Sequence, residues 1–482
     1  MRRVATIIVL TQTLFTTNVG LAKDIIPTSL DTPVLGELER VLVDALLNGV
    51  GINDEGKNDA SLASVNQTPA VAAQIKKHHL RLFGGPMLGC VTDRSAKIWL
   101  RTPVAADVQI VFGKQADLSD ARRSKEVRTK KDGDLTAIIG LIDLEPLTTY
   151  YYDVVVDGEA ALDWRPSFRT APSRDQKAKF KIAFGGGARV NPDKERIWNS
   201  VAAYRPDAFL FLGDNLYIDD PEHRNRHRLY YYRRQLRPEF QRLTAGTAAY
   251  AIWDDHDFGK NDCAGGLDPF KPDWKVPVWK VFKENWVNPY YGGGDEQPGC
   301  WFDFSIGDVD FFMTDGRYYR SFKDGTMLGP AQKKWLLEKL KASRATFKVI
   351  ASGTLWTETA DKGGKDSWWG VPKEREEIFS LIDRERIGGV ILLSADRHRT
   401  DVYEIKRPNG YTLYEFETSK LTNNHTHGTK SQALFSYNQG NFFGMITFDL
   451  MKDDPELTFE CITIDKKSVY SLTLKRSQLQ AE

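Results

Sequence analysis

Cysteine is scarce. The 482-residue chain holds four, Cys90, Cys263, Cys300 and Cys461, and no two fall in the paired CxxC pattern of a zinc site. An excess of charge of one sign is also missing: 66 Lys and Arg against 65 Asp and Glu leave a formal net charge of +1. That balance provides no global basic field, so there is no nucleic-acid-binding signature and no bulk attraction to membranes. Beyond the N-terminal stretch no run is long and apolar enough to span a bilayer. No internal repeat is visible. What remains is a globular composition, 41% hydrophobic and 27% charged, over a length that suits two or three domains.

The first residues read MRRVATIIVLTQTLFTTNVGLAKD. Arg2 and Arg3 precede a short apolar stretch, and Gly20-Leu21-Ala22 offers small residues where a leader is cleaved. Residues 1–22 are expected to be a secretory signal peptide, which makes the mature protein periplasmic or extracellular, with no membrane span after signal removal. In that setting a disulfide between Cys263 and Cys300 competes with buried free thiols.

Residues 23–80 read as an arm and linker: a helically spaced LGELERVLVDALLNGV is followed by a polar, Gly/Asn-rich segment. Residues 81–172 change texture to short alternating runs between turns, the pattern of a small all-β sandwich. Its LEPLTTYYYDV resembles the corner of fibronectin type III-like domains. From 173 to 470 near-continuous apolar strands alternate with helices, which argues for sheet buried on both faces. An aromatic, Pro/Gly-rich insertion at 265–301 walls the site or packs on the domain surface. Residues 471–482 read as a tail.

Ionisable residues fall where apolar strands stop. Asp214 and Tyr217 follow FLFLG; Asp254, Asp255, His256 and Asp257 follow AYAIW; Asp315 and Arg317 follow FFMT; Asp396 and His398 follow VILLSA. Singly, each reads equally well as a turn or helix cap. In a parallel sheet the ends share one edge. Several carboxylates held together repel unless a cation neutralises them. Asp, His and Tyr without Cys suit Fe(III), Mn, Ca or Zn, and two such metals bridged by a carboxylate hydrolyse phosphate esters by generating hydroxide.

GDNLY, WDDHD, DGRYYR, LGPAQKKWL and LSADRH, in this order after a small β domain, resemble the PhoD-like alkaline phosphatases of the calcineurin-like metallophosphoesterase superfamily. The likeness covers residues 83 to about 450. It implies an α/β (α+β) four-layer sandwich of mixed β-sheets flanked by helices, preceded by the fibronectin type III-like sandwich. It implies a binuclear metal centre of Fe(III) plus Ca, or another divalent ion such as Mn or Zn. The implied substrates are phosphomonoesters or phosphodiesters, small or polymeric. Carried over, Asp214 is the bridging carboxylate, Tyr217 a phenolate ligand and Asp255 a further metal ligand. His256 contacts substrate and protonates the leaving oxygen, and Asp396 and His398 close the metal site. Arg317 and Arg397 are candidate phosphate-holding cations, with surface salt bridges as the other reading.

Two positions depart from the family pattern. In the first loop, FGGGARV, Gly187 stands where relatives place an iron-binding Cys. Ala395 replaces a Gly before Asp396. Gly187 supports one rival reading, a degenerate domain that binds phosphorylated ligands or serves as an envelope interaction module. A purple-acid-phosphatase-type enzyme is another rival. The basic HRNRHRLYYYRRQLR, 223–237, reads as an anion-attracting wall or, on the blander view, a solvated helix face.

Overall fold

The structure, a computed structural model, describes residues 37, 40–42, 44–45, 65–66, 68–358 and 366–481. The expected signal peptide and most of the arm lie outside the described residues. Among the described residues no helix is long and apolar enough to cross a membrane.

Residues 84–169 form two antiparallel sheets. One runs Gly84–Gly89, Ala96–Arg101, Thr136–Leu141; the other is built on Asp107–Gly113 and Thr149–Val156. Alternation in Thr149–Val156 buries every second residue, as a half-buried strand requires. The Tyr150 hydroxyl accepts the Glu145 N–H at 3.0 Å, pinning the corner that leads into the strand. Tyr152 passes through the layer and donates to Ala245 O at 2.8 Å, docking this unit onto the rest of the chain.

The remainder contains two larger mixed sheets. The first has the order Ala248–Ile252, Ala208–Leu212, Lys179–Gly185, Phe442–Asp449, Glu456–Thr463, Ser468–Lys475. Its first three strands are parallel and the rest antiparallel. The second has the order Phe302–Ile306, Val309–Met313, Phe347–Ala351, Val390–Ser394, Leu413–Thr418, Thr400–Ile405, Phe435–Tyr437. The sheets stack through aromatic pairs such as Phe416 on Phe459 at 4.5 Å and Phe347 against Phe448 at 5.6 Å. Helix Arg196–Ala203 covers the outer face of the first sheet by setting Trp198 on Phe209 and Phe211. Ala208–Leu212, Ala248–Ile252, Phe347–Ala351 and Val390–Ser394 are buried along their whole length, which is why they read as unbroken apolar runs.

Several expectations change. The chemistry-bearing strand ends belong to two sheets, not one parallel sheet: Asp214 and Asp255 leave the first, Asp315 and Asp396 the second. Strand Ser468–Lys475 runs through the expected tail, and Leu479 O accepts the Gly389 N–H at 2.6 Å. The insertion is not surface packing: its helix Lys275–Asn285 buries Val278, Trp279, Val281 and Phe282. All four cysteines are free. The basic helix Arg224–Gln235 is neither wall nor solvated face. Arg228, Arg233 and Arg234 are buried, with Arg234 on Glu195 at 2.7 Å and Arg228 on Glu284 at 3.1 Å.

Candidate metal centre

Two strands of the first sheet end in loops that are stitched together. Asp257 accepts N–H groups from Asn215 (3.1 Å), Leu216 (2.7 Å) and Asp254 (3.2 Å). The Asn215 amide donates to Ile252 O at 2.8 Å. Gly213, at φ +96°, permits this contact, because a Cβ there would lie 2.5 Å from the Asp254 Cβ. Asp257 and Asn215 therefore hold loops rather than ligands. The clamp leaves Asp214, at φ +50°, facing the gap between the two sheets.

Asp214 is buried. Its Oδ2 accepts the Tyr217 hydroxyl at 2.9 Å, and its Oδ1 meets no hydrogen-bond partner. Burial first, then the charges of Asp255, Asp254 and Asp257, push its pKa well up. Burial and Asp214 do the same to Tyr217. A bare carboxylate with an orphaned oxygen beside other carboxylates is costly, and a cation relieves that cost.

The second sheet supplies His398 through the turn Asp396–His398, where both end residues have left-handed backbones, φ +85° and +48°. The His398 N–H donates to Ser419 Oγ at 2.5 Å. Its Nε2 lies 2.7 Å from the Tyr217 hydroxyl. Asp214, Tyr217 and His398 thus form one continuous line across the two sheets. Burial, then His427, His425, His256 and Arg397, lower the His398 pKa to about 3, which leaves a neutral imidazole able to ligate. The spacings of 2.7–2.9 Å along this line are hydrogen-bond distances, and they match adjacent ligands on an octahedral ion, about 2.9 Å apart at bond lengths near 2.0–2.1 Å. Asp214, Asp255 and His256 form a second group, with donor atoms within 4.8 Å of one another. The residues present fit bound cations, and Asp214 belongs to both groups.

His256 sits on Tyr217, ring centroids 4.3 Å apart, and its Nδ1 lies 2.6 Å from Asp219 Oδ1. Burial opposes its protonation, but Asp214, the Asp219 bond and Asp255 outweigh it and raise the pKa to about 10. Asp255 is held below the usual carboxylate range: burial raises it, and Arg317, together with His256 and the Asp262 N–H, more than offsets that.

Arg317 is not an open cation. Its fully buried guanidinium binds Asp254 through Nε and Asp366 through Nη1 (2.7 Å) and Nη2 (3.1 Å). It is also no surface salt bridge. It neutralises carboxylates that the fold packs behind the site. Asp315 is likewise structural, accepting N–H donors from Cys300, Arg317 and Tyr318 and the Trp253 indole. Among the described residues Asp396 joins none of the close donor groups; it heads the turn that presents His398. Arg397 remains near the site, its Nη2 3.5 Å from His427 Nδ1.

The sequence reading missed a cluster. One ring nitrogen each of His398, His425 and His427 lies within 4.8 Å of the others, and the Asn423 amide nitrogen is 3.3 Å from His398 Nε2. The available signal was density: two of the chain's eight histidines stand in NHTHG.

Stacked mixed sheets that join carboxylates, a phenol and imidazoles along one edge define a metallophosphoesterase fold. The family model for PhoD-like phosphatase matches residues 183–481, and the chain belongs to that family. A separate domain of unknown function, DUF7800, matches residues 79–174. Alkaline phosphatase D of Bacillus subtilis (strain 168) is 22% identical over 373 residues, which cover 66% of this chain and 61% of that protein. A solved structure of PhoD superposes with a TM-score of 0.70 at 16% identity, over 82% of this chain and 91% of that one. The purple acid phosphatase PPD1 of yellow lupin (Lupinus luteus) seeds gives 0.59 at 11% identity, over 82% and 75%. At these identities the two structures establish the fold alone.

Proposed function

We propose that the chain is an exported, metal-dependent phosphoesterase acting on phosphomonoesters or phosphodiesters. The observation that carries this is buried Asp214, with an oxygen lacking any hydrogen-bond partner, lying both in the donor group with Asp255 and His256 and on the hydrogen-bonded line to Tyr217 and His398. Asp214, Tyr217 and His398 would hold one ion, and Asp214 with Asp255 a second. When bound, such cations supply Lewis acidity to the attacking water and to the phosphoryl oxygens.

The chain's own residues do the rest. His256 Nδ1 is engaged by Asp219, which leaves Nε2 to carry a proton to the leaving oxygen. Arg397 supplies positive charge for substrate oxygens, and the Asp257 clamp keeps Asp214 rigid. The arginines at the N-terminus, followed by an apolar stretch and small residues, support export.

Hydrolysis of an aryl phosphate monoester and diester, with metal content measured on the same sample, tests this. Asp214→Ala is expected to lose bound metal and both activities. Wild-type turnover in Asp214→Ala would overturn the site. Inactivity of the wild type on both esters with Fe(III), Ca, Mn and Zn would favour the ligand-binding reading.

A further inference from the structure

We infer that His425 and His427 join His398 to bind one borderline transition-metal ion, such as Zn(II), on the side of the centre where Gly187 supplies no side chain. The inference rests on the reading of this edge as a metal centre, and it specifies which residues of this chain complete it. His398 is buried and its Nδ1 meets no hydrogen-bond partner. The His425 and His427 rings stand 5.3 and 5.6 Å from the His398 ring and 4.7 Å from each other. Nitrogens on a tetrahedral zinc sit about 3.4 Å apart at bond lengths of 2.0–2.1 Å. Reaching that from 4.8 Å takes only side-chain rotation, and His425 is exposed with room to turn.

The loop carrying the two histidines hangs on Gly187 itself. Gly187 O accepts the N–H groups of Thr422 (3.2 Å) and Asn423 (3.1 Å). The Asn423 side chain accepts the His425 N–H at 3.0 Å, and Asn438 donates to His427 O at 3.0 Å. A Cβ on Gly187 would lie 3.2 Å from the His398 ring and 2.8 Å from Lys420 N. A side chain at 187 is thus incompatible with this loop placement, and the loop returns donors to the same ring. Three imidazoles without sulfur select zinc, nickel or copper over a thiolate-bound iron.

Co(II) serves as the probe, because its visible absorption reports ligand type and number. The metal-stripped full chain is titrated with Co(II), then challenged with a chelator. His425→Ala/His427→Ala is expected to change the absorption and release metal ~10-fold faster or more, as loss of supporting ligands does. The single exposed variant His425→Gln repeats the test if the double variant fails by far-UV circular dichroism. Unchanged absorption and release in a folded variant overturn this assignment and leave the Asp214 centre standing. A wild-type chain that takes up no Co(II) overturns both.

Discussion

Gly187→Cys would place the thiol that the sequence resemblance leads one to expect in the first loop, and the structure predicts that it fails. Gly187 has φ +68°, and an added Cβ would stand 2.8 Å from Lys420 N, a backbone atom. The left-handed backbone costs an L-residue roughly 1–2 kcal/mol. Forcing extra atoms into a packed site costs roughly 1–3 kcal/mol more. Backbone cannot rotate away as a flexible side chain does, so the expected loss is about 2–5 kcal/mol in all. Gly187→Ala isolates this steric part, and Gly428→Ala is its control. No atom lies within 4 Å of a Cβ at Gly428, so that change should fall within about 0.5 kcal/mol of wild type. Urea unfolding of the three proteins measures the difference. Gly187→Cys should destabilise at least as much as Gly187→Ala and should hold metal less tightly than wild type. Gly187→Ala as stable as Gly428→Ala, or a stable Cys variant with a thiolate-to-metal band, refutes the reasoning.

Three further outcomes follow from the same geometry. His256→Ala should keep its metal and lose roughly 10²–10⁴-fold in rate, if the ring is the proton donor; metal analysis beside the ester assay reads both, and loss of metal would count against that role. Arg317→Met leaves Asp254 buried without its cation and Asp366 with Arg320 alone, and should cost about 3–5 kcal/mol; a urea midpoint equal to wild type would show the pairs to be dispensable. His227, buried with Nε2 2.8 Å from Asp220 O, has its pKa lowered by burial from 6.5 to about 4. The unfolded chain therefore takes the proton first: the stabilisation is full above pH 6.5 and is lost as pH falls towards 4, by roughly 3 kcal/mol. His227→Gln keeps a donor and should flatten that slope; identical slopes would contradict it.

The strand ends were legible because full burial writes a strand as an unbroken apolar run, and the run stops where water or a ligand begins. Asp214, Asp255 and His398 were singled out that way. Pairing partners were not legible, because an apolar run does not say which sheet it joins. Phe442–Asp449 lies beside Lys179–Gly185, more than 250 residues away in sequence, and this pairing divides the strands between two sheets. The basic helix misled for a related reason. Its arginines read as solvated, but Glu195 and Glu284, distant in sequence, meet them in the interior. His425 and His427 follow the end of strand Leu413–Thr418 in irregular chain without periodicity, so only the loop's hydrogen bonds to Gly187 reveal where they point.

Crowded carboxylates argued for a cation in the sequence, yet the fold neutralises most of them itself. Asp257 and Asp315 are satisfied by backbone N–H groups. Asp254 and Asp366 share Arg317, and Arg320 adds a second guanidinium to Asp366. These four need no metal, although a count of acidic residues would include them. Asp214 differs: one oxygen takes a phenol, the other takes nothing, and among the described residues no guanidinium pairs with it, whereas Asp254, whose Oδ2 also meets no hydrogen-bond partner, has Arg317 on its Oδ1. Asp255 is intermediate, with one oxygen accepting the Asp262 N–H at 2.6 Å and the other 3.5 Å from Arg317. The demand for positive charge therefore concentrates on Asp214 and spreads outward to Asp255 on one side and to Tyr217 and His398 on the other. A cation placed there meets an unsatisfied oxygen, whereas one placed at Asp366 would have to displace two arginines, and that asymmetry supports the proposed placement of the centre at Asp214.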